Sequence, residues 1–207
     1  MGKEYNVIKI PEYITKILFQ ISKLSMELLK SKNNLDLYVK SLDDNFEYIE
    51  WINKSIKLRS NDIPNDIRQR EVFFCQLGIN IGSEQSYKRP VVILQNDIGN
   101  SKSDTVIIAP ITTYEHSAII KKDDKIFVKV FKDGKIIEKN MDFYNVLVEL
   151  EDGFKNEIIG FINIIHMREV SKKRLSKTPI AKITKDNYIQ VQNAIIKNLN
   201  FNIDKSV

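Results

Sequence analysis

The chain has 207 residues, a net charge of +5 and a pI near 9.1, with 43% hydrophobic and 29% charged residues. That balance supports a buried core and excludes a chain disordered throughout, while the basic excess permits a polyanionic partner without naming one. Cys75 is the only cysteine, which excludes an intramolecular disulfide and fits a reducing cytoplasm.

Residues 1–10 read as an extended lead-in with no secretory leader. No apolar run in the chain approaches the ~18 residues of a membrane span. Pro11 suits the first turn of a helix, where its missing N–H costs little. Ile14, Ile17, Leu18, Ile21, Leu24 and Leu28 follow at helical spacing. Lys30–Asn34 is polar and turn-prone. A second series, Leu35, Val39, Leu42, Phe46, Ile49, Ile52 and Ile56, alternates steps of three and four. Residues 11–58 are therefore expected to form an antiparallel helical hairpin. Each helix carries one apolar stripe that needs a partner face, inside the chain or in an assembly. Arg59–Asn65 contains Pro64 among Ser, Asn and Asp and reads as a linker. The expected division is a helical domain over 1–65 and a β-rich domain over 66–207.

Glu71–Leu77 reads as the first strand. Val91–Leu94 and Val106–Ile108 are β-branched runs separated by a polar segment containing Gly and Asn, a strand–loop–strand pattern. Asn96, Asp97 and Asn100 are expected to hold that loop through side-chain-to-backbone bonds. Arg89 precedes the first of these strands and Thr112 and Thr113 follow the second. A cation and hydroxyls at the mouths of loops suit a polyanion. Ile126–Phe131 and Ile136–Ile137 flank Asp133-Gly134, a strong turn signal, and read as a β-hairpin. Gly160–Arg168 reads as one buried strand with a polar end. Thr184 is placed to cap a last helix, whose apolar face is Tyr188, Val191, Ala194, Ile195 and Leu199.

The sequence offers little conventional catalytic equipment. His116 and His166 are the only histidines, and neither stands at metal-ligand spacing with Cys75. No metal or cofactor is expected. There is no Gly-rich phosphate loop before a helix and no nucleophile elbow. Nothing near Cys75 in sequence activates it as a thiol nucleophile. Chemistry here is left to charged and hydroxyl side chains.

One set of motifs goes further. Gly82-Ser83-Glu84-Gln85, Arg89-Pro90-Val91-Val92, Gln95-Asn96-Asp97-Ile98-Gly99-Asn100, Thr105-Val106-Ile107-Ile108-Ala109 and Ile111-Thr112 occur in an order and spacing that resemble the MazF/PemK toxins of bacterial type II toxin–antitoxin systems. The resemblance covers about residues 68–200. It implies an α+β fold: a small SH3-like β-barrel with a C-terminal helix, here preceded by the helical hairpin. It implies a sequence-specific, metal-independent endoribonuclease that cleaves single-stranded RNA to 2′,3′-cyclic phosphate and 5′-OH ends. Arg89 and Thr112 match the catalytic positions. Ser83, Glu84, Gln85, Lys88 and Thr113 are expected to bind RNA or shape the site.

The implied partners are RNA, a cognate antitoxin and a second copy of the chain, with DNA met only through the toxin–antitoxin complex. On this reading the helical hairpin serves to dimerise, to restrain the site or to bind antitoxin. Two alternatives share the fold: an inactive nucleic-acid- or protein-binding module, and a CcdB-like gyrase poison. The latter would use an aromatic-bearing C-terminal end, here Phe201 followed by Asn202–Val207. The chain departs from the family pattern in three ways. Arg70 replaces the glycine of the Arg-Gly-Asp-like entry, Ile165-His166 replaces a Glu-Gln pair, and the hairpin at 119–143 is inserted after Thr113.

Overall fold

In a computed structural model of the chain, the structure describes residues 10–30, 35–123, 125–154 and 157–201. The expected lead-in over 1–9, the turn residues 31–34 and Asn202–Val207 lie outside these. The chain divides into two compact units, Met1–Lys54 and Ser55–Val207, so the division falls inside a helix.

The first unit contains α1 (Ile10–Lys30) and most of α2 (Leu35–Leu58). Pro11 sits in the first turn of α1 and Glu12 adds a carboxylate to its positive end. Lys57 stands in the last turn of α2, where the dipole favours a cation. Ile17, Leu18, Phe19 and Met26 of α1 are exposed, as are Phe46 and Ile49 of α2.

The second unit is built on a curled antiparallel sheet with strand order β10-β1-β2-β3-β8-β7. Its strands are β1 (Glu71–Gln76), β2 (Lys88–Ile93), β3 (Thr105–Thr113), β7 (Asn145–Leu147), β8 (Gly160–Asn163), β9 (Arg168–Ser171) and β10 (Ala181–Lys182). The edges meet just beyond β7 and β10. Leu150 bridges Ile183, Glu151 N donates to the Lys182 carbonyl at 2.8 Å, and Thr184 N donates to the Glu149 carbonyl at 2.9 Å. This closure leaves no open edge at that seam and gives the barrel its form.

Both faces of the central strands are covered. Val72, Val92, Ala109, Ile111, Ile162 and Ala181 lie inside, packed with Val191 and Ala194 of α4 (Lys185–Leu199). Phe73, Cys75, Val91, Ile93, Val106 and Ile108 point the other way, into a second cluster with Ile67, Val170 and Leu175. The Thr184 hydroxyl accepts from Asn187 N at 3.0 Å and caps α4 as expected.

Three local expectations change. The polar segment after β2 contains a helical turn, α3 (Asp97–Lys102), capped by Asn96 Oδ1 accepting from Gly99 N at 2.7 Å. Asn96, Asp97 and Asn100 do bind backbone there: Asn100 Nδ2 donates to the Gln95 carbonyl and Asp97 Oδ1 accepts from Gln69 N. The single strand expected at Gly160–Arg168 is instead β8, a 3-10 turn over Ile164–His166, and the start of β9. The turn lets one segment pair with two parts of β3, β8 against Ile111–Thr113 and β9 against Thr105–Ile108. The inserted hairpin is present, with Asp133 (φ 49°) and Gly134 (φ 77°) at its tip. It gains a third strand, so that β4 (Ile119–Lys122), β5 (Lys125–Lys132) and β6 (Lys135–Asn140) form their own sheet.

Candidate active site

Side chains alternate along β2. Val91 and Ile93 belong to the outer cluster and Val92 to the barrel interior. Arg89 shares the parity of Val91, so it leaves the sheet on the outer face. In β3, Val106 and Ile108 face outward while Ala109 and Ile111 face inward, which puts Thr112 on the same outer face as Arg89. The β2–β3 register pairs Val91 with Pro110 and Ile93 with Ile108. Continued past Val91, where the β2–β3 pairing ends, that register would set Arg89 across from Thr112, in the stretch of β3 that pairs with β8 on its other edge. Gly160 of β8 permits this close passage: a Cβ there would lie 2.2 Å from the Thr112 carbonyl oxygen.

Arg89 is half-buried and held at one end. Its Nε donates to the Ser86 carbonyl at 2.9 Å. Among the described residues, nothing pairs with its Nη groups or with the Thr112 hydroxyl. The loop carrying Ser83, Glu84 and Gln85 is closed at its base by Tyr87 N donating to the Gly78 carbonyl at 2.6 Å. Asn80 braces it from within, its Nδ2 donating to the Gln85 carbonyl at 2.7 Å and its N to Ser86 Oγ at 3.0 Å. Ser83 and Glu84 are exposed and Gln85 is half-buried.

A cavity of about 340 Å³ opens at His166, within electrostatic reach of Arg89. Glu84, Gln85, His166 and Arg168 line it over a floor of Leu77 and Pro110. Gln85 Oε1 is buried and has no hydrogen-bond partner among the described residues. Burial lowers the pKa of His166 below its ordinary value. The Glu84 carboxylate opposes that shift and the Arg89 guanidinium adds to it. Arg174 fixes the strand end below, its Nη1 donating to the Gln76 and Leu77 carbonyls at 3.1 and 3.0 Å.

Cys75 is fully buried under this face, and burial pushes its thiol pKa up to about 12. It is a core side chain and no nucleophile. Among the described residues, no group of three or more His, Cys, Asp or Glu is placed to hold a metal ion.

The structure separates residues that the sequence sets side by side. Lys88 has the opposite parity to Arg89 and places its Nζ 4.5 Å from the centre of the Phe74 ring. With Thr113, Pro90 and Tyr114 it borders a different cavity, of about 460 Å³. Arg89, Thr112, Glu84 and Gln85 thus gather on one side, and Lys88 and Thr113 on the other. Sequence reasoning missed His166, Arg168 and Asn80 as site residues. His166 did carry a signal, as a departure from the family pattern. Asn80 carried none. The inserted sheet lies elsewhere: Lys121 and Ile126 border a pocket with Phe143, Ala194 and Lys197, and no residue of the insert lines the cavity at His166.

The family model described as PemK-like, MazF-like toxin of type II toxin-antitoxin system matches residues 68–199. The chain belongs to the PemK/MazF toxin family. Endoribonuclease MazF of Staphylococcus epidermidis is 33% identical over 136 residues, 66% of this chain and 93% of that protein. Among solved structures, MazF from Deinococcus radiodurans covers 68% of this chain and all of its own length at 13% identity, with a TM-score of 0.46. An endoribonuclease in complex with its cognate antitoxin from Mycobacterial species covers 67% of this chain and 99% of its own at 14% identity, with a TM-score of 0.44. Family membership rests on the domain match and the S. epidermidis relative. Among the described residues, no helix of this PemK/MazF chain is long and apolar enough to cross a membrane.

Proposed function

We propose that this chain is the toxin component of a type II toxin–antitoxin system, an endoribonuclease that cleaves single-stranded RNA at a site built on Arg89 and Thr112. The observation that carries the site is their shared face. A guanidinium anchored through Nε lies on the same side of the sheet as the Thr112 hydroxyl, and among the described residues neither its Nη fork nor that hydroxyl has a partner.

RNA brings its own nucleophile. The 2′-oxygen attacks the adjacent phosphorus as it loses its proton, and the bond from phosphorus to the 5′-oxygen breaks. The products are a 2′,3′-cyclic phosphate and a 5′-OH. The protein must hold the reacting oxygens in line and stabilise charge on the phosphoryl oxygens. The Arg89 fork supplies charge in the geometry of a phosphate, and the Thr112 hydroxyl donates one further hydrogen bond. Neither role requires a metal. Ser83, Glu84 and Gln85, on the braced loop above, read the flanking nucleotides.

The chain acts in the cytoplasm as a homodimer and is neutralised by its own antitoxin, whose acidic segment a basic surface attracts. DNA enters only through the complex of the two.

The test is cleavage of a long single-stranded RNA in excess chelator by the wild-type chain, Arg89→Ala and Thr112→Ala. The expected result is cleavage with 5′-OH ends by the wild type and loss of about 10²–10³-fold in each variant. A wild-type chain that cuts no RNA, even after removal of the helical segment, would leave a binding module on the same fold.

A further inference from the structure

Arg89 and Thr112 supply no group to take the 2′-OH proton. A guanidinium holds its proton throughout the working pH range, and a threonine hydroxyl is no base at neutral pH. The cavity at His166, within electrostatic reach of Arg89, holds two groups that can accept one, His166 and Glu84, and of these only Glu84 is exposed to water. His166 ends the 3-10 turn between β8 and β9, and that turn aims its ring into the 340 Å³ space shared with Glu84, Gln85 and Arg168. We propose that His166 is the general base of RNA cleavage in this chain, with Glu84 as its electrostatic partner. This rests on the ribonuclease reading above and adds a catalytic residue to it.

The geometry is specific. The turn over Ile164–His166 is fixed from below, because Ile164 is fully buried in the barrel core with Val191 and Ala194 of α4. It is fixed from one end by Met167 N donating to the Ile164 carbonyl at 3.0 Å. The groups facing the imidazole are few. The loop offers Glu84, β2 offers Arg89 and β9 offers Arg168, while β3 offers the uncharged Pro110 and α4 packs Val191 and Ala194 in one cluster with Ile164 of the turn. Partial burial and the Arg89 guanidinium act against the charged imidazole, the Glu84 carboxylate acts for it, and the net shift is downward, so the neutral form predominates at pH 7. A neutral imidazole accepts a proton. Gln85 Oε1, buried in the same cavity and unpartnered among the described residues, is an acceptor for a ribose hydroxyl or base N–H of the bound nucleotide.

The step balances. The 2′-OH gives its proton to the His166 imidazole as its oxygen bonds to phosphorus. The electron pair of the bond from phosphorus to the 5′-oxygen leaves with that oxygen, which takes a proton from water. The hydroxide so formed removes the proton from the imidazolium and returns the enzyme to its starting state. Arg89 and Thr112 hold the phosphoryl oxygens throughout.

The experiment is the pH profile of single-turnover cleavage of a defined RNA from pH 4.5 to 8.5, with full-length wild type, His166→Gln, His166→Asn, Glu84→Gln and Arg89→Ala. In the wild type the rate should rise with pH and level off, with a midpoint below the ordinary imidazole value of about 6.5. His166→Gln and His166→Asn should melt like the wild type, lose about 10²-fold at the plateau and show no rise in this window. Glu84→Gln should move the midpoint to lower pH, because the carboxylate that opposes the downward shift is gone. A merely structural role would lower the rate and leave the acid limb in place. If both His166 variants keep the limb, or the full rate, while Arg89→Ala is dead, the base assignment is overturned and the ribonuclease reading stands. If Arg89→Ala is fully active as well, the reading of the site falls too.

Discussion

The two faces of the β2–β3 ladder are made from the same short stretches of chain and do different work. On the inner face, Val92, Ala109 and Ile111 pack in one cluster with Val191 and Ala194 of α4. On the outer face, Val91, Ile93 and Ile108 pack until the strands end, and then Arg89 and Thr112 emerge, Arg89 within electrostatic reach of His166 in a cavity it shares with Glu84 and Gln85. A shift of one residue exchanges the two sets, because the side-chain period of a strand is two. Lys88 and Thr113, immediate neighbours of Arg89 and Thr112, therefore belong to a different surface. Adjacency in sequence says little about a site on a strand; parity says a great deal.

Substitutions on either side of the ladder test this difference most severely. Arg89→Ala is expected to cost about 10²–10³-fold in RNA cleavage. Lys88→Ala, one residue away, should change it by no more than roughly threefold, since its charge rests over the Phe74 ring on the other face. Equal losses in the two variants, measured on the same RNA under single turnover, would show that the faces are not functionally distinct.

A second substitution attacks the place where the ladder splits. Gly160→Ala would put a methyl group 2.2 Å from the Thr112 carbonyl oxygen and 3.0 Å from Thr113 Cα. Both neighbours are backbone, so β3 and β8 must move apart. The expected cost is about 1–3 kcal/mol of stability, the usual penalty for overpacking, together with a loss of cleavage out of proportion to the unfolded fraction. Thermal melting and activity below the transition separate the two effects.

Much of the fold was legible. The β-branched runs gave β2 and β3, Thr184 gave the cap of α4, and Asp133-Gly134 gave the tip of the inserted hairpin. Arg89 and Thr112 were singled out because their flanking motifs are specific, and the strand parity puts them on one face. What was hidden depends on contacts distant in sequence. The break of Gly160–Arg168 into β8, a turn and β9 follows from β3 needing two partners, and nothing in the apolar run GFINII announces it. The division between Lys88 and Arg89 needed the register of β1, β2 and β3 together. Asn80 needed the loop's closed shape before its bonds could be seen.

The inner face has its own polar weak point. Asn187, on α4, is fully buried; its Nδ2 donates to the Leu147 carbonyl at 2.8 Å and its Oδ1 accepts from Glu149 N at 3.0 Å. It replaces the strand partner that β7 lacks along this stretch. Asn187→Ala leaves both backbone groups without this partner and is expected to cost about 1–3 kcal/mol in urea unfolding. The pH profile of cleavage should keep its shape, because the substitution lies on the face opposite the site. A changed profile would mean that the two faces are coupled.

The smallest expected effect lies at the barrel's entry, where two contributions oppose each other. Arg70 adopts φ 75°, a left-handed conformation that favours glycine. Its guanidinium gives a reason for the side chain: Nη1 lies 2.6 Å from Glu151 Oε1 and donates to the Ile183 carbonyl at 3.0 Å, across the seam that closes the barrel. Arg70→Gly relieves the backbone by about 1 kcal/mol or less, while glycine's greater freedom in the unfolded chain gives some of that back. The same change removes a partly exposed ion pair worth about 0–1 kcal/mol and one hydrogen bond to a carbonyl. The net change should stay within about 1 kcal/mol, on the destabilising side. Arg70→Ala keeps the strain and loses the pair, so it should be the worse of the two. If Arg70→Ala instead melts above Arg70→Gly, the strain of the left-handed geometry is smaller here than the cost of glycine's freedom in the unfolded chain.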